Sequence, residues 1–150
     1  MELWGALEAT DVAQYFRRAR WGYALLNATH IFGIAMLVGA LVPLDLRLTG
    51  LAWRRTPLAV AERLLRPTAA AGLVLAVGTG FLLFASNASD YAATGLFQFK
   101  MAIVAVGIAH AAYYVRGFDH VPRSRRVLAG LVSAIIWIAA LICGRFLGFL

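Results

Sequence analysis

The sequence predicts an all-α integral membrane protein: a single-domain four-transmembrane-helix bundle, with a candidate N-terminal interfacial helix. Three observations predict it. The chain is 62% hydrophobic and only 14% charged, where an average soluble domain has about 25% charged residues. Its mean hydropathy is +0.78. The apolar residues fall into four blocks, each near the roughly 20 residues that a helix needs to cross a bilayer.

The opening stretch MELWGALEATDVAQYFRRAR is acidic and then basic. It lacks the basic-then-apolar order of a cleaved signal peptide. Residues 7–20 suit a short helix in the headgroup zone, capped by Thr10 or Asp11, with Leu7, Val12, Phe16 and the arginine stems in the interface. A frayed tail is the competing expectation. The first span covers 21–44. The connection after it, DLRLTGLAWRRTPLAVAERLLRP, carries Arg47, Arg54, Arg55, Arg63 and Arg66. Within it, PLAVAERLL has helical spacing and is expected to lie on the inner membrane surface.

The second span covers 68–85, the third 96–115 and the fourth 127–147. Between the second and third, SNASDYAATG has no basic residue, whereas RGFDHVPRSRR between the third and fourth carries Arg116, Arg123, Arg125 and Arg126. Arginine-rich loops stay on the cytoplasmic side, so both termini and the second loop are expected outside. Arg17, Arg18 and Arg20 count against that orientation. Small residues recur along the spans and would let helix backbones approach closely.

The formal net charge of +7 lies between the spans, with no aromatic-basic platform for nucleic acid. Nucleic-acid binding is therefore not expected. One cysteine, Cys143, excludes an intrachain disulfide and reads as a buried thiol. No Walker loop, GxSxG or HExxH motif occurs. Asn27-Ala28-Thr29 matches a glycosylation acceptor but lies inside a span.

Ionisable residues inside spans are costly and are functional candidates. His30 stands in the first span, and Lys100 and His110 in the third. Asp45 and Arg47 suit an ion pair at the inner boundary, and Arg145 is placed to snorkel. Two histidines on different helices near the midplane suggest axial ligands of haem iron. On this reading His30 and His110 are the metal ligands of a haem b. Gly33 and Gly107, each one turn from a histidine, leave room for the macrocycle. Asn27, one turn above His30, belongs to its outer shell. Lys100 pairs with a haem propionate or is itself a ligand. The competing reading is that each polar residue bonds a neighbouring helix and the glycines only pack. Met36 and Met101 are too few for a copper site, and His120 in the basic loop reads as solvated.

NATHIFGIAMLVGALVPLDLRLTG, followed by TGFLLFASNASDYAATGLFQFKM, resembles a family of small bacterial membrane proteins of uncharacterised activity. The shared elements are His30, the DLRL of residues 45–48, Thr79-Gly80 with Phe84, and Phe97 with Lys100. The resemblance covers about 21–115 and implies a multi-pass protein of the bacterial inner membrane. The order of a helix-one histidine, then lysine and histidine in helix three, is also distantly similar to HemJ-type protoporphyrinogen oxidases and CopD-like membrane domains. That likeness implies b-type haem, with His30 and Lys100 as the required pair. Where HemJ-type proteins continue helix one with a tryptophan and a Leu-Pro-Arg element, this chain reads IAMLVGALVPLDLR.

Two functions are therefore expected to compete. One is a haem-binding electron-transfer protein, a candidate oxidoreductase working with a quinone, a porphyrin or a redox partner protein. The other is a non-enzymatic membrane module: a partner subunit, or a small transport or copper-handling protein. Association with a second copy of the chain is compatible with either.

Overall fold

The computed structural model of the chain describes residues 2–114, 117–118 and 121–149. Their secondary structure is entirely helical, in seven helices: α1 (Glu2–Glu8), α2 (Asp11–Arg18), α3 (Arg20–Thr49), α4 (Leu58–Ala85), α5 (Ala88–Ala93), α6 (Gly95–Tyr113) and α7 (Arg123–Leu147). Four of these, α3, α4, α6 and α7, are long and apolar enough to cross a membrane. The expected spans are thus all present, although their ends differ. His120 and Arg116 lie outside the described residues, as does the expected end of the third span.

The two largest differences, at the end of α3 and the start of α4, involve prolines. Proline removes one i→i−4 hydrogen bond, so sequence reading ends a helix near it. Here Pro43 lies inside α3 and Pro67 inside α4, and both helices continue through them. In an apolar solvent breaking a helix exposes more backbone than a proline does, which favours continuation. The DLRL segment is therefore the last part of α3, which stops at Gly50 with φ +76°. PLAVAERLL is not a separate surface helix. From Leu58 onward it forms the first turns of α4, leaving residues 50–57 as the connection.

The N-terminal segment is two helices, not one. Thr10 caps α2, its hydroxyl oxygen accepting the Ala13 N–H at 3.4 Å. Sequence reading also missed α5, a short helix in the connection without basic residues.

Packing inverts the soluble pattern. Much of the interior is alanine, glycine and serine, including Ala40, Ala69, Ala76, Ala140, Gly33, Gly72 and Ser133. Leu25, Phe32, Val74 and Ile135 point outward and are exposed. With no water to drive large side chains inward, small residues at contacts let backbones come together. The closest approach joins α3 to α4. A Cβ added at Gly72 would stand 2.5 Å from the Leu37 nitrogen, and one at Gly33 would stand 2.7 Å from the Ala76 nitrogen. α3 also packs on α7, and α7 on α6. Among the described residues α4 and α6 make no close backbone contact.

Side chains close both ends of the bundle. At the end bearing the termini, the Phe84 and Phe97 rings stack at 5.2 Å, with Trp4 edge-on to Phe84 and Tyr91 against Phe97. At the arginine-rich end, Arg66 bonds the Tyr114 carbonyl at 2.7 Å and lies over the Phe118 ring, while pairing with Glu62 at 2.9 Å.

The first two helices are strapped across the terminal end. Ser89 donates its backbone N–H to Glu8 at 2.6 Å, and Arg17 pairs with Glu8 and donates to the Ser86 carbonyl. The positive charge of Arg17 is thus already partnered, which weakens its vote on orientation. The Ser89 N–H, with help from Arg17, holds the Glu8 carboxyl below its ordinary value of 4.5. A depressed carboxylate stabilises docking above its unfolded pKa and loses that effect as pH falls through its folded one. Hydrogen-exchange protection of α1 should therefore be full at neutral pH and decline only as pH drops below the ordinary Glu range. Glu8→Gln should lower it at neutral pH as well. Protection in the wild type that ignores pH would show that Glu8 does not hold the strap.

Candidate functional site

His30 lies on the face of α3 turned to α4 and is half-buried. Its Nδ1 is 3.1 Å from the Thr79 hydroxyl. Thr79 in turn donates to the Leu75 carbonyl at 2.6 Å, the common bond of a helical threonine to the preceding turn. A hydroxyl has one proton. With that proton committed to Leu75, Thr79 must accept from the histidine, so the network assigns the ring proton to Nδ1. The Ala76 carbonyl is a second acceptor beside the ring. Nε2 is left with its lone pair. The ring sits over Gly80, where a Cβ would come within 2.9 Å of its Cε1. Thr79 and Gly80 thus orient and seat His30.

Lys100 is half-buried on α6. Its Cε and Nζ pass 3.6 Å from where a Cβ on Gly144 of α7 would be. The interhelical contacts give its level. Gly130 meets Asp45, Leu48 and Thr49, while Gly107 meets Ile136 and Trp137. Carrying these registers along antiparallel helices at 1.5 Å per residue places Lys100 within about one turn of the level of His30.

The same registers set His110 roughly 15–20 Å from that level, towards the arginine-rich end. His110 packs against Tyr114, the residue that follows its helix, at 5.1 Å. A single iron cannot take both histidines in this bundle. Counting from a common outer boundary puts both histidines near the midplane, but the contacts set the start of α6 roughly two turns deeper than the start of α3. The expected space beside the glycines is also taken: Gly33 receives the backbone of α4, and Gly107 receives Ile136 and Trp137 of α7. Asn27 is exposed.

Other polar residues serve elsewhere. Arg47 does not pair with Asp45; its Nε donates to the Thr56 carbonyl at 2.7 Å. Asp45 is buried towards α7 with Ser133 as its polar neighbour, and its Oδ2 has no hydrogen-bond partner. Arg145 is exposed and lies over the Phe149 ring. Cys143 is buried and free, as expected.

No family model, curated protein or solved structure matches the chain. Among the described residues no group of three or more His, Cys, Asp or Glu side chains forms a metal site. Any ligand chemistry at this level of the bundle therefore rests on His30, Lys100 and their neighbours.

Proposed function

We propose that the chain is a b-type haem-binding redox protein of the bacterial inner membrane, with His30 as axial ligand and Lys100 as a second protein contact. The observation that carries the reading is the state of His30. Nδ1–H is spent on Thr79, so Nε2 offers its lone pair. A ligating histidine needs that arrangement, with the far nitrogen's proton bonded to a fixed acceptor. Bound haem would supply a one-electron couple. The chain's part is to ligate through His30, hold that ring through Thr79 and Gly80, and present the Lys100 ammonium to a propionate. His110 has no part in it. The arginine-rich loops support an orientation with the termini outside. A quinone, a porphyrin or a redox protein remains the proposed class of partner.

One observation favours a non-enzymatic module instead. The cavities that Gly33 and Gly107 would open are filled by neighbouring helices, and the His30–Thr79 bond also serves as a helix-packing bond. A visible spectrum separates the two readings. Protein purified in detergent and reconstituted with haemin should show a Soret band, sharpening into α and β bands on reduction. A featureless spectrum after haemin addition would leave the packing role standing.

A further inference from the structure

The arginine-rich end of the bundle carries a cavity of about 240 Å³ unrelated to the His30 level. Four of its lining side chains are arginines, Arg47 and Arg54 from the α3 side and Arg123 and Arg126 from α7, and among the described residues no lining residue is acidic. Arg47 and Arg54 each use Nε on a backbone carbonyl, Thr56 and Gly50 respectively. These bonds fix the stems and leave the outer guanidinium nitrogens for another acceptor. The fourth arginine makes the strongest case, because Arg126 Nε is buried with no hydrogen-bond partner among the described residues. A buried charged donor without an acceptor is costly, and a bound ion is one of the standard reasons for it.

Two helix starts add to the same field. Leu58, the first residue of α4, and Arg123, the first of α7, both line the cavity. Each helix is preceded by a proline, and neither has a side-chain cap. Their free N–H groups and the positive ends of their dipoles favour an anion. The wall is not purely polar, since Leu48 and Leu58 line it and Leu51 and Trp53 stand exposed on the adjoining turn. Tryptophan and basic residues at the end of apolar helices mark a membrane–water boundary.

We propose that this cavity binds a phosphate group, held by Arg47, Arg54, Arg123 and Arg126 at the start of α7. Planar guanidinium forks match the oxygens of phosphate in pairs. At this height in the bundle, two sources can supply the group: the headgroup of an anionic phospholipid, with its chains against the apolar wall, or soluble phosphate. The site is independent of haem.

The test uses the full chain in nanodiscs of equal phosphatidylglycerol and phosphatidylcholine, with the retained lipid counted by native mass spectrometry. In parallel, the unfolding temperature in neutral detergent is compared in sodium phosphate and in sodium chloride of equal ionic strength. Preferential retention of phosphatidylglycerol assigns the site to lipid. A phosphate-specific rise in unfolding temperature without lipid preference assigns it to soluble phosphate. In either case Arg123→Gln with Arg126→Gln should weaken the effect about 25-fold, at roughly fivefold per arginine. The lysine pair Arg123→Lys, Arg126→Lys should retain most of it. If the glutamine pair does not fold, Arg54→Gln with Arg123→Gln, both at exposed positions, reads the same loss. A wild type indifferent to both probes, or variants that bind as the wild type does, would overturn the site.

Discussion

His30→Ala is expected to abolish the Soret band of the haemin-reconstituted protein, and His110→Ala to leave it unchanged. The contrast follows from the level difference between the two histidines and from the free Nε2 of His30. Thr79→Val tests the orientation of the ring. It removes the acceptor of Nδ1–H while keeping the side-chain shape. The ring then keeps only the Ala76 carbonyl and is less firmly oriented, and haem affinity should fall by about 10–100-fold, the usual effect of an outer-shell partner. Gly80→Ala should act in the same direction, because its methyl group would come within 2.9 Å of the ring. Haemin titration by absorbance measures all four, with circular dichroism as the folding control. A full spectrum in His30→Ala would end the haem reading. Loss of the spectrum in His110→Ala would mean that the helix registers deduced from the contacts do not hold at the cofactor.

The parts of this molecule that the sequence made legible follow from the solvent. Long apolar runs mark directly the four helices that are long and apolar enough to cross a membrane. The second boundary was misplaced at a proline: Pro67 reads as a stop in a soluble context, yet α4 begins nine residues before it, at Leu58. His30 was visible as a polar residue in an apolar run. Its partner was not, because Thr79 bonds its own helix at Leu75 and looks like any membrane threonine. The only hint lay in the Thr79-Gly80 pair of the family resemblance, the two residues that hold and seat the ring. The pairing of His30 with His110 failed for a different reason. Depth along a single helix can be counted from sequence, but register between helices is set by where small residues permit contact. Those contacts, Gly33 with Ala76, Gly107 with Trp137 and Gly144 with Lys100, link positions far apart in the chain. The Glu62–Arg66 pair was hidden inside what reads as a surface loop.

Gly72→Ala is expected to be among the most damaging single-methyl changes in the protein. The added carbon would lie 2.5 Å from the Leu37 nitrogen and 2.7 Å from the Gly33 carbonyl oxygen. Both are backbone atoms of α3 and cannot turn aside as a side chain would, so the helices must separate. Overpacking of this kind costs about 1–3 kcal/mol, and more where backbone must move. Gly39→Ala is the matched control. It is also in a helix, but nothing lies within 4 Å of its added carbon. There the substitution should stabilise by roughly 0.5–1 kcal/mol, through the lower backbone entropy cost of alanine in a helix. Thermal unfolding in detergent should therefore move in opposite directions for the two variants. The same close approach sets the 3.1 Å spacing of His30 and Thr79, two turns along α4 from Gly72. Separation of α3 from α4 should thus weaken haem retention in Gly72→Ala and leave Gly39→Ala unaffected. Equal and neutral behaviour of both variants would show that α3 and α4 do not meet at Gly72. Loss of stability with full haem affinity would show instead that His30 does not need Thr79 held in place.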